Sequence, residues 1–167
     1  MARITVNTTG TQPTLILSTT TSNVTANTFT ANTALSVTCL QDVTITNSTG
    51  IFSWTDFCSL DTNKVTTPAD NEITTNLVID PIGFFGNANA SPNTSAAFNG
   101  VNGLSLNKIP VSFKLIMNGD TTANSGAYYY QGTGYVSSLA PTVSPEAPVW
   151  VTPMTLAVDG SFTTGTV

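Results

Sequence analysis

The chain has 167 residues, enough for one domain with a real core, and carries little charge: four Lys+Arg against nine Asp+Glu, net −5, at 8% charged residues where about 25% is usual. It contains no histidine, which removes the commonest general base, the Ser-His-Asp arrangement and imidazole metal ligation together. Its cations, Arg3, Lys64, Lys108 and Lys114, are scattered rather than clustered, which argues against tight binding to a phosphate backbone.

Threonine is the commonest residue. It is β-branched and favours strands, so composition points to β structure before any pattern is read. A folded domain of this mass exposes on the order of 8,000 Å², or roughly 600 Å² for each charged residue. That surface suits a subunit buried against its own copies better than a free monomer, because interface cores lose Lys, Glu and Asp and gain aromatics. The competing reading is a secreted module kept soluble by hydroxyl groups.

In chain order, residues 1–33 read as a low-complexity arm with one strand at Leu15-Ile16-Leu17. Its start shows no apolar run of the kind that marks a secretory leader, and the expectation is that none is present. "ALSVTCL" alternates, with Leu35, Val37 and Cys39 on one face, and "VTIT" and "GIFSWTDFCSL" follow as further strands. "DTNKVTTPADNE", residues 61–72, is the one charge-dense segment; with Pro68 it reads as an exposed hairpin loop before the strand "ITTNLVID". "PIGFFGNANASPN" reads as a loop exposing Phe84 and Phe85. A helix over about 94–108, capped by Asn93 or Thr94, places Ala97, Val101 and Leu104 on one face and ends before Pro110.

"PVSFKLIMNG" then alternates, with Val111, Phe113, Leu115 and Met117 in phase. "AYYYQGTGYVSSL" is a long strand with Tyr128 and Tyr130 facing one way, Tyr129 and Tyr135 the other. "VWVTPMTLAVDG" and "SFTTGTV" would form a closing hairpin about Asp159-Gly160. The sum is a mainly β domain over 34–167 with one helix and about seven or eight strands.

No nucleophile elbow, phosphate-binding loop or dinucleotide fingerprint is present, and no cofactor is expected. Cys39 and Cys58 lack metal-ligand spacing and read as buried thiols, with a disulfide as the alternative. Asp56, Asp61, Asp80, Asp70 and Glu72 read as turn residues rather than catalytic pairs. The chain therefore reads as a non-enzyme. The long strands have almost no lysine to protect a free edge, and covering those edges with other copies solves the problem. Aromatics on both faces of 128–139 would then fill the core on one side and meet the helix or an adjacent subunit on the other.

The succession "ALSVTCLQD", "FSWTDFCSL", "ITTNLVID", "PVSFKLIM", "YYYQGTGYVSSL" and "SPEAPVWVTPMTLAVDGSFTTG" resembles the major tail tube proteins of long-tailed bacteriophages, most closely over 109–166. The first thirty residues and "PIGFFGNANASPN" fall outside the resemblance. It implies a β-sandwich or barrel-like protomer with one short helix. Six such protomers would join their sheets into a ring barrel, and the rings would stack into a virion tail tube assembled in the host cytoplasm. It implies other tail proteins as partners (tape measure, tail terminator, baseplate), with a sheath left open. DNA would only pass through the acidic lumen. The self-assembly candidates are Leu15, Ile16, Leu17, Asp61, Lys64, Asp70, Glu72, Tyr128, Tyr129 and Tyr130. The alternatives are an extracellular adhesion or glycan-binding module and a related tail-completion or baseplate ring protein.

Overall fold

The computed structural model describes residues 13–19, 33–38, 40–55, 61–117, 127–146 and 149–166. Cys39, Cys58 and Asp56, named above, lie outside them. Among the described residues seven strands are present: β1 (Thr14–Ser18), β2 (Leu35–Val37), β3 (Leu40–Thr55), β4 (Thr62–Val78), β5 (Val111–Ile116), β6 (Tyr128–Leu139) and β7 (Val151–Thr166). They form one antiparallel sheet in the order β2-β1-β5-β6-β7-β4-β3. The mainly β expectation holds.

The barrel-like shape follows from connectivity. β2 and β3 are the two edges of the sheet, yet only residues 38 and 39 separate them in the chain. Three peptide steps span at most about 11 Å. Seven strands laid flat would set the edges roughly 29 Å apart at the usual interstrand spacing. The sheet is therefore rolled, and its main core draws a residue from every strand: Leu15, Leu35, Leu40, Ile73, Phe113, Val136 and Leu156. The roll does not close, because β2 and β3 do not pair.

Two helices plug the roll, where the sequence suggested one. α1 (Pro81–Phe85) begins at Asp80, whose carboxylate accepts from the Gly83 amide at 2.8 Å, with Pro81 pre-set at the first helical position. The glycine and asparagine content of this segment hid it. Its Phe84 is buried, contrary to the expected exposure, while Phe85 stays outside and meets the Phe84 ring edge-on at 4.9 Å. α2 (Ala96–Leu106) falls inside the expected range but is capped by Ser95, which accepts from the Phe98 amide at 3.2 Å. Ala97, Val101 and Leu104 are buried as the spacing requires. Gly100 kinks this helix at φ +63°, and a Cβ there would lie 2.4 Å from the Gly86 nitrogen and 2.5 Å from the Phe84 oxygen. That backbone-to-backbone approach is what seats α1 on α2.

Three segments behave differently from the reading of local sequence. Residues 62–72 are not a loop; they belong to β4, and "VTIT" and "GIFSWT" merge into the single strand β3. Pro68 is tolerated because it sits where the β3–β4 register shifts between Thr66 and Ala69, on a stretch that has no partner on its other side. Asp159-Gly160 is not a hairpin turn either. β7 runs straight through it, and Gly160, at φ +84°, opens a bulge in which residues 160–162 face Gly132 alone. The bulge swings Phe162 edge-on towards Phe113 and Tyr130, at 6.3 and 5.8 Å between ring centres. Finally, β5 does not alternate: all six residues are buried, because both of its faces are covered.

Replacing Gly100 by Ala should cost on the order of 3 kcal/mol, since it combines a left-handed backbone with a backbone clash. Gly160→Ala meets nothing within 4 Å and should cost only the backbone term, about 1–2 kcal/mol. Urea unfolding of the two variants should rank them in that order.

Candidate assembly surfaces

The sheet forks at one level. β4 pairs with β7 only from Asn71 to Val78, and Asn71 lies opposite Val158. Beyond this point β7 continues along β6, while β3 and β4 leave together as a two-stranded ribbon, residues 47–55 against 62–71. Asn71 holds the fork: it is 2% exposed, and its Nδ2 donates to the Gly160 carbonyl at 2.7 Å. Among the described residues its Oδ1 has no partner. The bulge at Gly160 is thus both the turning point of β7 and the acceptor that fixes the base of the ribbon.

Nearly every ribbon residue is exposed on both faces. Phe52 and Trp54 stack at 6.0 Å between centroids with 22° between planes, and Phe52 lies directly across from Val65. Ile51 is 63% exposed on the other face. A two-stranded ribbon is marginal by itself in water, and one carrying aromatic side chains in solvent is further handicapped. The full edge strand β3 has a single charge, Asp42, and that exposed charge turns to β4 rather than to the free edge: its carboxylate accepts from the Asn76 amide and from Asn76 Nδ2, both at 2.8 Å. Nothing on β3 resembles the lysine or proline protection of a monomeric edge.

The sequence-derived candidates separate into three places. Asp61, Lys64 and Asp70 lie on or beside the ribbon but are spread along its length, with Lys64 opposite Ser53 and Asp70 opposite Ser48. Glu72 is half-buried at its base, opposite Ala157. Leu15, Ile16 and Leu17 are elsewhere: β1 is an interior strand between β2 and β5, and all three side chains are buried within the protomer. The tyrosines occupy the far end of β6. With Met117, Thr164 and Thr166 they line a groove of about 500 Å³.

The two faces of β6 sort as the alternation requires. Tyr130 packs towards Phe162 on the core side, and Tyr129 faces a second small cluster of Ile16, Ile116 and Ala127. The helix does not serve that second face, as the sequence had suggested it could, because Val101 and Leu104 of α2 belong to the main core. Lys114 stands there instead, 2% exposed, with its ammonium 4.1 Å from the Tyr129 ring centre. At the opposite end of β4 the sequence anticipated the exposure of Phe85 but not that of Ile82, Val149 and Trp150, because exposure on a short helix or in a connection has no periodic signal.

No known protein family matches the chain, and no curated relative does. Solved structures do. A chain in the tail of an empty gene transfer agent particle with C6 symmetry superposes at a TM-score of 0.55 with 10% identity, covering 89% of this chain and 93% of that one. A chain in the virion of a native gene transfer agent particle gives 0.54 and 11%, covering 79% and 88%. A chain of an extracellular contractile injection system sheath-tube complex in its extended state gives 0.50 and 15%, covering 77% and 81%. The protomer shares its fold with chains of these tail and tube particles. The resemblance read from the sequence is thereby matched at the level of fold. Among the described residues no group of three or more Cys, Asp or Glu side chains could hold a metal ion.

Burial lowers the Lys114 pKa from the ordinary lysine value. The unfolded chain then binds this proton more tightly than the folded one, so stability rises as pH climbs from the lowered value towards about 10.4. Wild type should gain stability relative to Lys114→Met across that alkaline window in chemical denaturation. Parallel pH profiles for the two proteins would show that burial of the ammonium carries no cost.

Proposed function

We propose that this protein is a structural tail tube subunit, without catalytic activity, whose copies close into rings and stack into a conduit for genome passage. The observation that carries the reading is the incomplete protomer: a rolled sheet with an unprotected sixteen-residue edge strand and a projecting ribbon that exposes Phe52, Trp54 and Val65 on one face and Ile51 on the other. Both features are liabilities in a monomer and ordinary in an assembled ring, where a neighbour's strand covers the edge. The shared fold with chains of tail and tube particles, one of them with C6 symmetry, supports six protomers to a ring.

The finer parts of the reading follow. The single tube domain over 34–167 also takes in β1 from the first 33 residues, expected to form an arm, because Leu15, Ile16 and Leu17 are buried inside the sheet. The ribbon residues Asp61, Lys64 and Asp70 and the tyrosine groove are contact surfaces between copies. Six copies at −5 give about −30 for each ring, a lumen charge that discourages DNA from adhering. Tape measure, terminator and baseplate proteins are the other partners, and the particle is a virion tail put together in the host cytoplasm.

Purified protein imaged in negative stain should show rings and stacked tubes. A strictly monomeric species at high concentration in sedimentation would refute the proposal. Rings that never stack would favour a tail-completion or baseplate ring protein instead.

A further inference from the structure

One pair fixes the hydrogen-bonding direction of the β4–β7 ladder. Asn76 lies opposite Pro153, which has no N–H, and the Asn76 amide donates away from β7, to Asp42 Oδ1 at 2.8 Å. Asn76–Pro153 is therefore a non-bonded pair. Bonded and non-bonded pairs alternate along an antiparallel ladder. Asn71–Val158 is then a bonded pair, and the ladder ends on it.

Continued in the same register, the next bonded pair would be Ala69–Gly160. There the Ala69 amide would donate to the Gly160 carbonyl, and the Gly160 amide to the Ala69 carbonyl. The other side of β4 agrees. Its register with β3 is unbroken from Asp42–Asn76 to Thr49–Ala69, so the Ala69 amide faces opposite to that of Asn76, into the fork. The Gly160 carbonyl, however, already has a donor: Asn71 Nδ2, at 2.7 Å.

We propose that Asn71 is a ladder stop. Its side-chain amide takes the acceptor that the Ala69 amide would use, and so sets the residue at which β4 parts from β7. The substitution is uneven. The side chain supplies one hydrogen bond where the missing rung would supply two, and among the described residues it leaves its own Oδ1 without a partner. At 2% exposure that oxygen cannot turn to bulk water.

Both strands are irregular just past this level. In β4 residues 67 and 68 have no place in the register between Thr49–Ala69 and Ile51–Thr66. In β7 residues 160–162 bulge against β6, with Gly160 at φ +84°. A bulge weakens the ladder where it sits. With the next rung weakened from both sides, a single competing donor decides whether it forms. The proposal goes beyond the tube reading: it concerns a lone protomer and holds whatever covers the free edges.

The test is Asn71→Val in the full chain, with amide hydrogen exchange followed residue by residue on dilute protein. Valine removes both the competing donor and the stranded oxygen. The Ala69 and Gly160 amides should then exchange more slowly than in wild type, by roughly fivefold to tenfold. A side chain that merely braces the fork predicts the opposite sign. Unchanged or faster exchange at both amides, with residues 73–77 still protected, would overturn the proposal.

A second variant, Ala69→Pro, keeps the question open to refutation should Asn71→Val fail to fold. In wild type the Ala69 amide is idle, so its removal should not lower the urea midpoint. A lowered midpoint would mean that this amide is already in use, and would overturn the proposal. Added to Asn71→Val, the same proline should lower the midpoint, because there the rung has formed.

Discussion

Two residues between β2 and β3 constrain this fold more than any other feature. They tie the opposite edges of a seven-stranded sheet within about 11 Å and oblige the sheet to roll. Rolling makes one interior, which every strand lines and α2 fills with Val101 and Leu104. It also makes strand lengths matter. β1, β2 and β5 are short, while β3, β4 and β7 each run 16 or 17 residues. The surplus length has no place inside the roll, so it leaves as a ribbon.

The fork where it leaves is built from residues with little meaning in isolation. Gly160 takes a positive φ and lets β7 bulge away from β4. Asn71 crosses the gap to the Gly160 carbonyl and keeps one buried oxygen without a partner among the described residues. An unsatisfied buried polar atom costs about 1–3 kcal/mol. A protomer that carries this cost, a bare β edge and exposed aromatics together fits the proposed assembly. Each of these features becomes reasonable once neighbouring copies share the surface.

The charge pattern fits the same logic. The one charge on β3 is turned across to Asn76 of β4, away from the free edge, and the most buried lysine is used beneath Tyr129 rather than on the surface.

Composition and alternation alone determined that the protein is mainly β, that the helix near 94–108 buries Ala97, Val101 and Leu104, and that 128–139 is one strand with Tyr129 and Tyr130 on opposite faces. Those signals are local: a side-chain period and a threonine-rich, charge-poor chain act over a few residues. Only the tertiary structure decided that the charged 62–72 segment is strand, that Asp159-Gly160 is a bulge, that Leu15, Ile16 and Leu17 are interior, and that β5 is covered twice. Polar, proline-bearing and glycine-bearing stretches favour turns when read by themselves. Here a partner strand already in place offers them backbone hydrogen bonds over a longer run, and pairing between distant strands leaves no mark in the sequence of either.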